Sequence, residues 1–189
     1  MIRIAVPDDA SANPHAYAAS HHARSIMAAA GNFAMTVYRD SMLSLREFEG
    51  ARLRMAEING CLICQQFRAA RDAAEMLAGT GARPERFVGN NGDAPDEAFV
   101  AALAEWRTSP LFTTRERLAV EFAERFAEEP KVLAVDEDFW ARMHANFSDA
   151  EIMDLSHCVA AWMGLGRIAH VLGFDSVCTT TPVEAAAAA

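Results

Sequence analysis

The sequence predicts an all-α protein, and three observations carry that expectation. Alternating apolar and polar runs of the strand kind are nearly absent. Alanine-rich segments with apolar residues at helical spacing fill the chain. Three of these segments open on a capping box: Ser44 with Glu47, Thr113 with Glu116, and Ser148 with Glu151. In each box the hydroxyl and the carboxylate satisfy one another's free backbone N–H.

Taken in order, residues from Pro14 to Met42 read as one long helix or two shorter ones, with a kink expected near Gly31-Asn32. Ser44 opens a helix that carries Phe48, Ala51, Leu53 and Met55 and stops at Asn59-Gly60. A further helix is expected from Cys61 to the glycines at Gly79 to Gly81, where glycine can supply a left-handed cap. Arg83 to Ala94, with Pro84 and Asn90-Asn91-Gly92, is a connector, and Pro95 to Trp106 is helical. The box at Thr113 opens a helix that Pro130 stops. Asp136 caps a short helix through Phe147, and the box at Ser148 opens one that runs to Leu172 before Gly173. Ser44 to Ala78 also echoes Ser148 to Leu172: an offset of 102 sets Glu49 on Glu151, Cys61 on Met163, Cys64 on Gly166 and Arg68 on His170. A two-fold internal repeat or chance likeness between alanine-rich helices would each produce that echo. Residues 1–180 are expected to form a single domain, followed by a low-complexity tail at 181–189.

The chain's 189 residues are 52% hydrophobic and 23% charged, enough for one substantial core. A net charge of −9 argues against a sequence-independent nucleic-acid binder and against docking on an anionic membrane. The start, MIRIAVPDDA, does not read as a signal peptide. The most apolar interior stretch, Val159 to Gly166, is far short of the ~20 residues that span a bilayer. A soluble, cytoplasmic protein is expected. With only four cysteines it is not a disulfide-stapled secreted fold.

The stretch EINGCLICQQFR, Glu57 to Arg68, holds the chemistry. On one helix Cys61, Cys64 and Arg68 would share a face, being three and seven residues apart. Cys61 would sit in the first turn, where free N–H groups and the helix dipole favour a thiolate, and a nearby guanidinium would add to the effect. A zinc site would need two more ligands at suitable spacing, whereas Cys158 and Cys178 are single and distant. Two inert cysteines packed as small apolar residues are the plain alternative. The helix-start setting favours a redox pair, with no metal and no cofactor. Arg167, on an otherwise apolar helix, is a candidate for a buried ion pair with Glu116 or Glu121.

Glu49 and the run LRMAEINGCLICQQFRAA resemble the alkylhydroperoxidase AhpD-like group of the carboxymuconolactone decarboxylase family. That pattern has a glutamate twelve residues before the first cysteine, then C-x-x-C, then a histidine four residues after the second. Glu49, Cys61 and Cys64 match it; the histidine position holds Arg68. The later runs SPLFTTRERLAVEFAERF and HANFSDAEIMDLSHCVAAWMGLGRIAHVLG also look like the second half of these proteins, so the likeness spans about Tyr38 to Gly173.

The resemblance implies an AhpD-like helical bundle assembled as a homo-oligomer. It also implies a thiol-dependent hydroperoxide reductase served by an external dithiol. Cys64 would attack the peroxide, Cys61 would resolve it, and Glu49 would take the proton. Arg68 stays charged near neutral pH and cannot act as a base. Either Glu49 works alone while Arg68 stabilises the thiolate, or the peroxidase reaction is weak. The family's other activity, decarboxylation of a muconolactone-type acid, does not rely on a C-x-x-C. A non-enzymatic, redox-sensing oligomer is the third reading.

Overall fold

The computed structural model describes residues 1–74 and 87–176. The expected helix end at Gly79 to Gly81, the first part of the connector, Cys178 and the tail lie outside these. Among the described residues there is no strand, and no helix is long and apolar enough to cross a membrane.

Two helices precede the first capping box, α1 (Pro14–His21) and α2 (Arg24–Asp40). The chain breaks at His22 and Ala23, where Ala23 takes a left-handed φ of 45°, and not at Gly31-Asn32, which lie inside α2. The break goes with a local ring cluster: Tyr17 stacks on His21 with centroids 4.2 Å apart and meets His22 edge-on at 5.7 Å.

Helix α3 (Leu45–Asn59) starts on the expected box and ends on Gly60, whose φ of 69° supplies the left-handed cap. The helix beyond it is interrupted. After α4 (Leu62–Gln66) the chain is extended at Phe67 and Arg68 and re-enters a π-helical turn at Ala69–Ala73. Continuing α4 would need the Arg68 N–H to donate to the Cys64 carbonyl. That carbonyl is already taken by Arg52 Nη1 at 2.7 Å, and the Arg68 N–H donates instead to Asp72 Oδ2 at 2.8 Å.

Past the connector, Asp96 caps α5 (Glu97–Ala101), which tightens into a 3₁₀ turn at Ala102–Glu105. Helix α6 (Thr114–Glu128) starts on the second box. Pro130 ends it and also opens the short α7 (Pro130–Leu133), where its missing N–H has no cost. Asp136 caps α8 (Glu137–Asn146), and Ser148 caps α9 (Asp149–Val171).

Helix α3 packs against both α6 and α9, and α2 lies on α9. Phe48 and Met55 of α3 join Leu118, Phe122, Phe139 and Leu155 in the larger core. Leu53, on another face of α3, joins Phe99, Leu103, Trp106, Phe112 and Val120 in a smaller one. The starts of α3 and α6 are cross-linked reciprocally: Arg46 donates to Glu116 and Arg115 to Glu47, each at 2.5 Å. The offset of 102 sets a helix broken at Gly60 against α9, which runs unbroken through the matching residues.

Candidate functional site

Cys61 and Cys64 are joined as a disulfide, their Cα atoms 5.3 Å apart. Gly60 turns the chain out of α3, and Cys61 becomes the residue that caps α4. The two sulfur-bearing residues are not equivalent. Cys61 is fully buried, whereas Cys64 is partly accessible and lines a cavity of about 240 Å³. The cavity lies between α2, α3, α4 and α9 and is apolar for most of its wall, with Val37, Ile63, Phe67 and Leu165 among its lining residues. Tyr38, Arg52 and Asn59 are the lining residues with polar side chains, beside the indole of Trp162.

The donors that a thiolate at Cys61 would use are engaged. The Cys61 N–H donates to the Ala56 carbonyl at 3.2 Å. The Leu62 N–H donates to Asp175 Oδ2 at 3.3 Å, so a carboxylate occupies the positive end of α4. The same carboxylate oxygen lies 2.9 Å from His170 Nδ1. The helix-start argument therefore loses its force for Cys61.

Arg68 is not on the cysteine stripe, because the chain is extended at Phe67 and Arg68. Its guanidinium bonds Glu97 on the surface and the carbonyls of Gln65 and Phe67. The arginine beside the pair is Arg52, one helical turn after Glu49 on α3. It donates to the Cys64 carbonyl at 2.7 Å, to the Phe67 carbonyl at 2.5 Å, and to both oxygens of Glu49 at 3.2 and 2.7 Å. Glu49 also accepts the Ala69 N–H at 2.7 Å. This ion pair is almost wholly buried, with side-chain exposures of 3% for Arg52 and 2% for Glu49. It ties the broken segment on both sides of its break back to α3. Glu49 lies beside the cysteine segment, bound to a guanidinium rather than free.

Nothing in the cysteine spacing announces Arg52. The one signal is that Arg52 follows Glu49 at i+3, a pairing distance on a helix. Asn59 does more than stop α3. Its amide donates to the Trp162 carbonyl at 2.9 Å and accepts from Arg167 Nε at 3.0 Å, pinning the end of α3 to α9. Arg167 itself is exposed, and its expected partners are engaged elsewhere: Glu116 with Arg46, Glu121 with Arg125 and Arg142.

Two further groups have displaced titrations. Tyr38, on α2, packs edge-on against Phe48 and Phe67. Burial raises its pKa to about 12, against the lowering effect of Arg52. Cys158, on α9, is buried and donates to Asp154 Oδ1 at 3.3 Å; burial first and that carboxylate second hold its thiol far above the usual range. A thiol so held stays protonated and inert. Among the described residues, no group of three or more His, Cys, Asp or Glu is placed to hold a metal ion.

No family model matches the chain, and no curated protein matches it. Among solved structures, it is similar to a crystal structure from Agrobacterium tumefaciens. That structure is described as a protein of unknown function and a candidate antioxidant defence protein, AhpD. The match has a TM-score of 0.53 and 24% identity over 92% of this chain and 96% of the other. The fold is AhpD-like.

Proposed function

We propose that the chain is a thiol-dependent hydroperoxide reductase working through Cys64 and Cys61. The observation that carries this reading is the asymmetry of a bonded cysteine pair: one member faces an apolar cavity and the other is sealed behind it. In the reduced protein the Cys64 thiolate attacks the terminal oxygen of a hydroperoxide. An S–O bond forms as the O–O bond breaks, and the alkoxide leaves and takes a proton from water. Cys64 is then a sulfenic acid. The Cys61 sulfur attacks it, an S–S bond forms, and hydroxide departs with the Cys61 proton as water. An external dithiol returns two electrons and two protons and becomes a disulfide itself.

In this reading Glu49 and Arg52 act together by positioning the segment, and Arg68 steadies the carbonyl end of α4. A homo-oligomer agrees with the exposed apolar residues Leu62, Ile168 and Val171 near the site. A muconolactone-type acid is disfavoured, because Arg52, the cation lining the cavity, already has its charge met by Glu49. Hydroperoxide consumption coupled to a dithiol tests the proposal. Cys64→Ser should abolish it, and Cys61→Ser should stop after one turnover with a trappable sulfenic acid at Cys64. Full activity in Cys64→Ser would reject the assignment.

A further inference from the structure

We infer that the groove between α6, α8 and the turn after α5 is a binding site for a phosphate-type oxyanion, with Arg117 as the residue that holds it. The groove shares no lining residue with the cavity at Cys64, and the inference does not depend on the hydroperoxide reading.

The groove measures about 450 Å³. Its wall carries three guanidiniums against one carboxylate: Arg107 from the turn, Arg117 from α6 and Arg142 from α8, with Glu121 between them in sequence. That excess runs against a chain whose net charge is −9. Two of the three cations are paired. Arg107 lies over the Trp106 ring, 4.2 Å from its centroid, and donates to Glu124. Arg142 donates to both oxygens of Glu121 at 3.0 and 2.9 Å. Glu124 and Glu121 each serve a second arginine, Arg54 and Arg125. Their charge is already met, so they offer an incoming anion little repulsion.

Arg117 differs. Among the described residues, every other arginine that is buried or half-buried has a carboxylate partner, and Arg117 has none. Its Nη2 donates to the Ser109 carbonyl at 2.5 Å, and its Nε is shut in without an acceptor. Its Nη1 is neither bonded nor shut in, which leaves that edge of the guanidinium open where Arg117 lines the groove. A half-buried cation held by one neutral carbonyl keeps an unmet charge, and a concave wall of like charges concentrates the field that draws an anion in. The guanidinium fork matches the oxygens of a phosphate. A phosphate group carries about −1.5 to −2 charge at pH 7, which suits a wall with three cations and one carboxylate.

Inorganic phosphate is titrated calorimetrically into the full chain at low ionic strength, where screening is weak. Saturable binding of one phosphate per chain is expected. Arg117→Gln should weaken it about tenfold or more, the loss of a hydrogen bond to a charged group. Arg24→Gln removes the same charge from an exposed residue at the start of α2 and should leave binding unchanged. Arg117→Lys keeps the charge without the fork and should fall between wild type and Arg117→Gln; it decides if the glutamine variant fails to fold. No saturable binding, wild-type affinity in either Arg117 variant, or an equal loss in Arg24→Gln overturns the inference. So does an oligomer that takes up no phosphate and comes apart in Arg117→Gln, because a carboxylate of a second copy would then fill the groove. Hydroperoxide turnover should be the same in Arg117→Gln as in wild type, so this inference and the peroxidase reading fail separately.

Discussion

At its first turn α3 is closed by neighbours in sequence: the Ser44 hydroxyl accepts the Glu47 N–H, and Glu47 accepts the Ser44 N–H in return. The last turn of the same helix closes locally on Gly60, but the cysteine segment that follows is held by residues further off. Trp162 and Arg167 hold Asn59, Asp175 holds the N–H of Leu62, and Arg52 holds the Cys64 carbonyl that would have carried α4 onward and the Phe67 carbonyl beyond it. The difference explains what each end does. The first end is closed by its own capping box, which is repeated at α6, with Arg46 and Arg115 crossing between the two starts. The second end leads into a cysteine pair beside a break in the helix, and a buried ion pair ties that break back to α3.

Breaking that ion pair should have the largest effect. Arg52→Met leaves Glu49 buried without its charge partner and should cost about 3–5 kcal/mol in urea unfolding. Replacing both residues by apolar ones should recover most of the loss, because the uncompensated charge goes with its partner. A loss below about 1 kcal/mol in the single variant would mean that the broken segment holds itself.

Gly166→Ala sharpens the comparison at the α9 side. Alanine gains about 1 kcal/mol over glycine in helix propensity. Its Cβ would nonetheless fall 2.7 Å from Asn59 Nδ2, an atom already fixed by the Trp162 carbonyl. We expect a net loss of about 1–2 kcal/mol by thermal or urea unfolding, where a helix closed only by its neighbours would gain.

At the first end, Glu47→Gln keeps the capping box, since glutamine can serve in it, and loses only the charge met by a partly exposed Arg115. A loss of about 0.5–1 kcal/mol is expected, well under that for Arg52.

The acid limb of stability separates the regions further. Burial alone would raise the carboxyl of Glu124, but hydrogen bonds from Arg107, Trp106 and Arg54 and the charge of Arg54 bring it below the ordinary range. A carboxylate depressed in the folded state contributes stability that is fully present above its unfolded pKa, ~4.3, and is lost as pH falls through the folded value. Glu124→Gln should therefore flatten the loss of stability below about pH 4, as followed by melting temperature against pH.

Smallest of all, Cys158→Ala should leave hydroperoxide turnover and the free-thiol count of the Cys61–Cys64 pair unchanged, since its protonated thiol bonds Asp154 away from the cavity's sulfur.

By itself the sequence determined the helical class, the three box-capped starts and the end of α3 at Gly60. Each of these rests on groups three or four residues apart, whose geometry a helix dictates before anything packs. The tertiary structure alone decided which arginine serves the cysteines. Helical spacing pointed to Arg68, but the bond that would have extended α4 competes with a guanidinium from another helix, and the guanidinium wins because it is already buried against Glu49. It likewise decided that Cys64 faces a cavity while Cys61 does not, because burial depends on which distant surfaces meet.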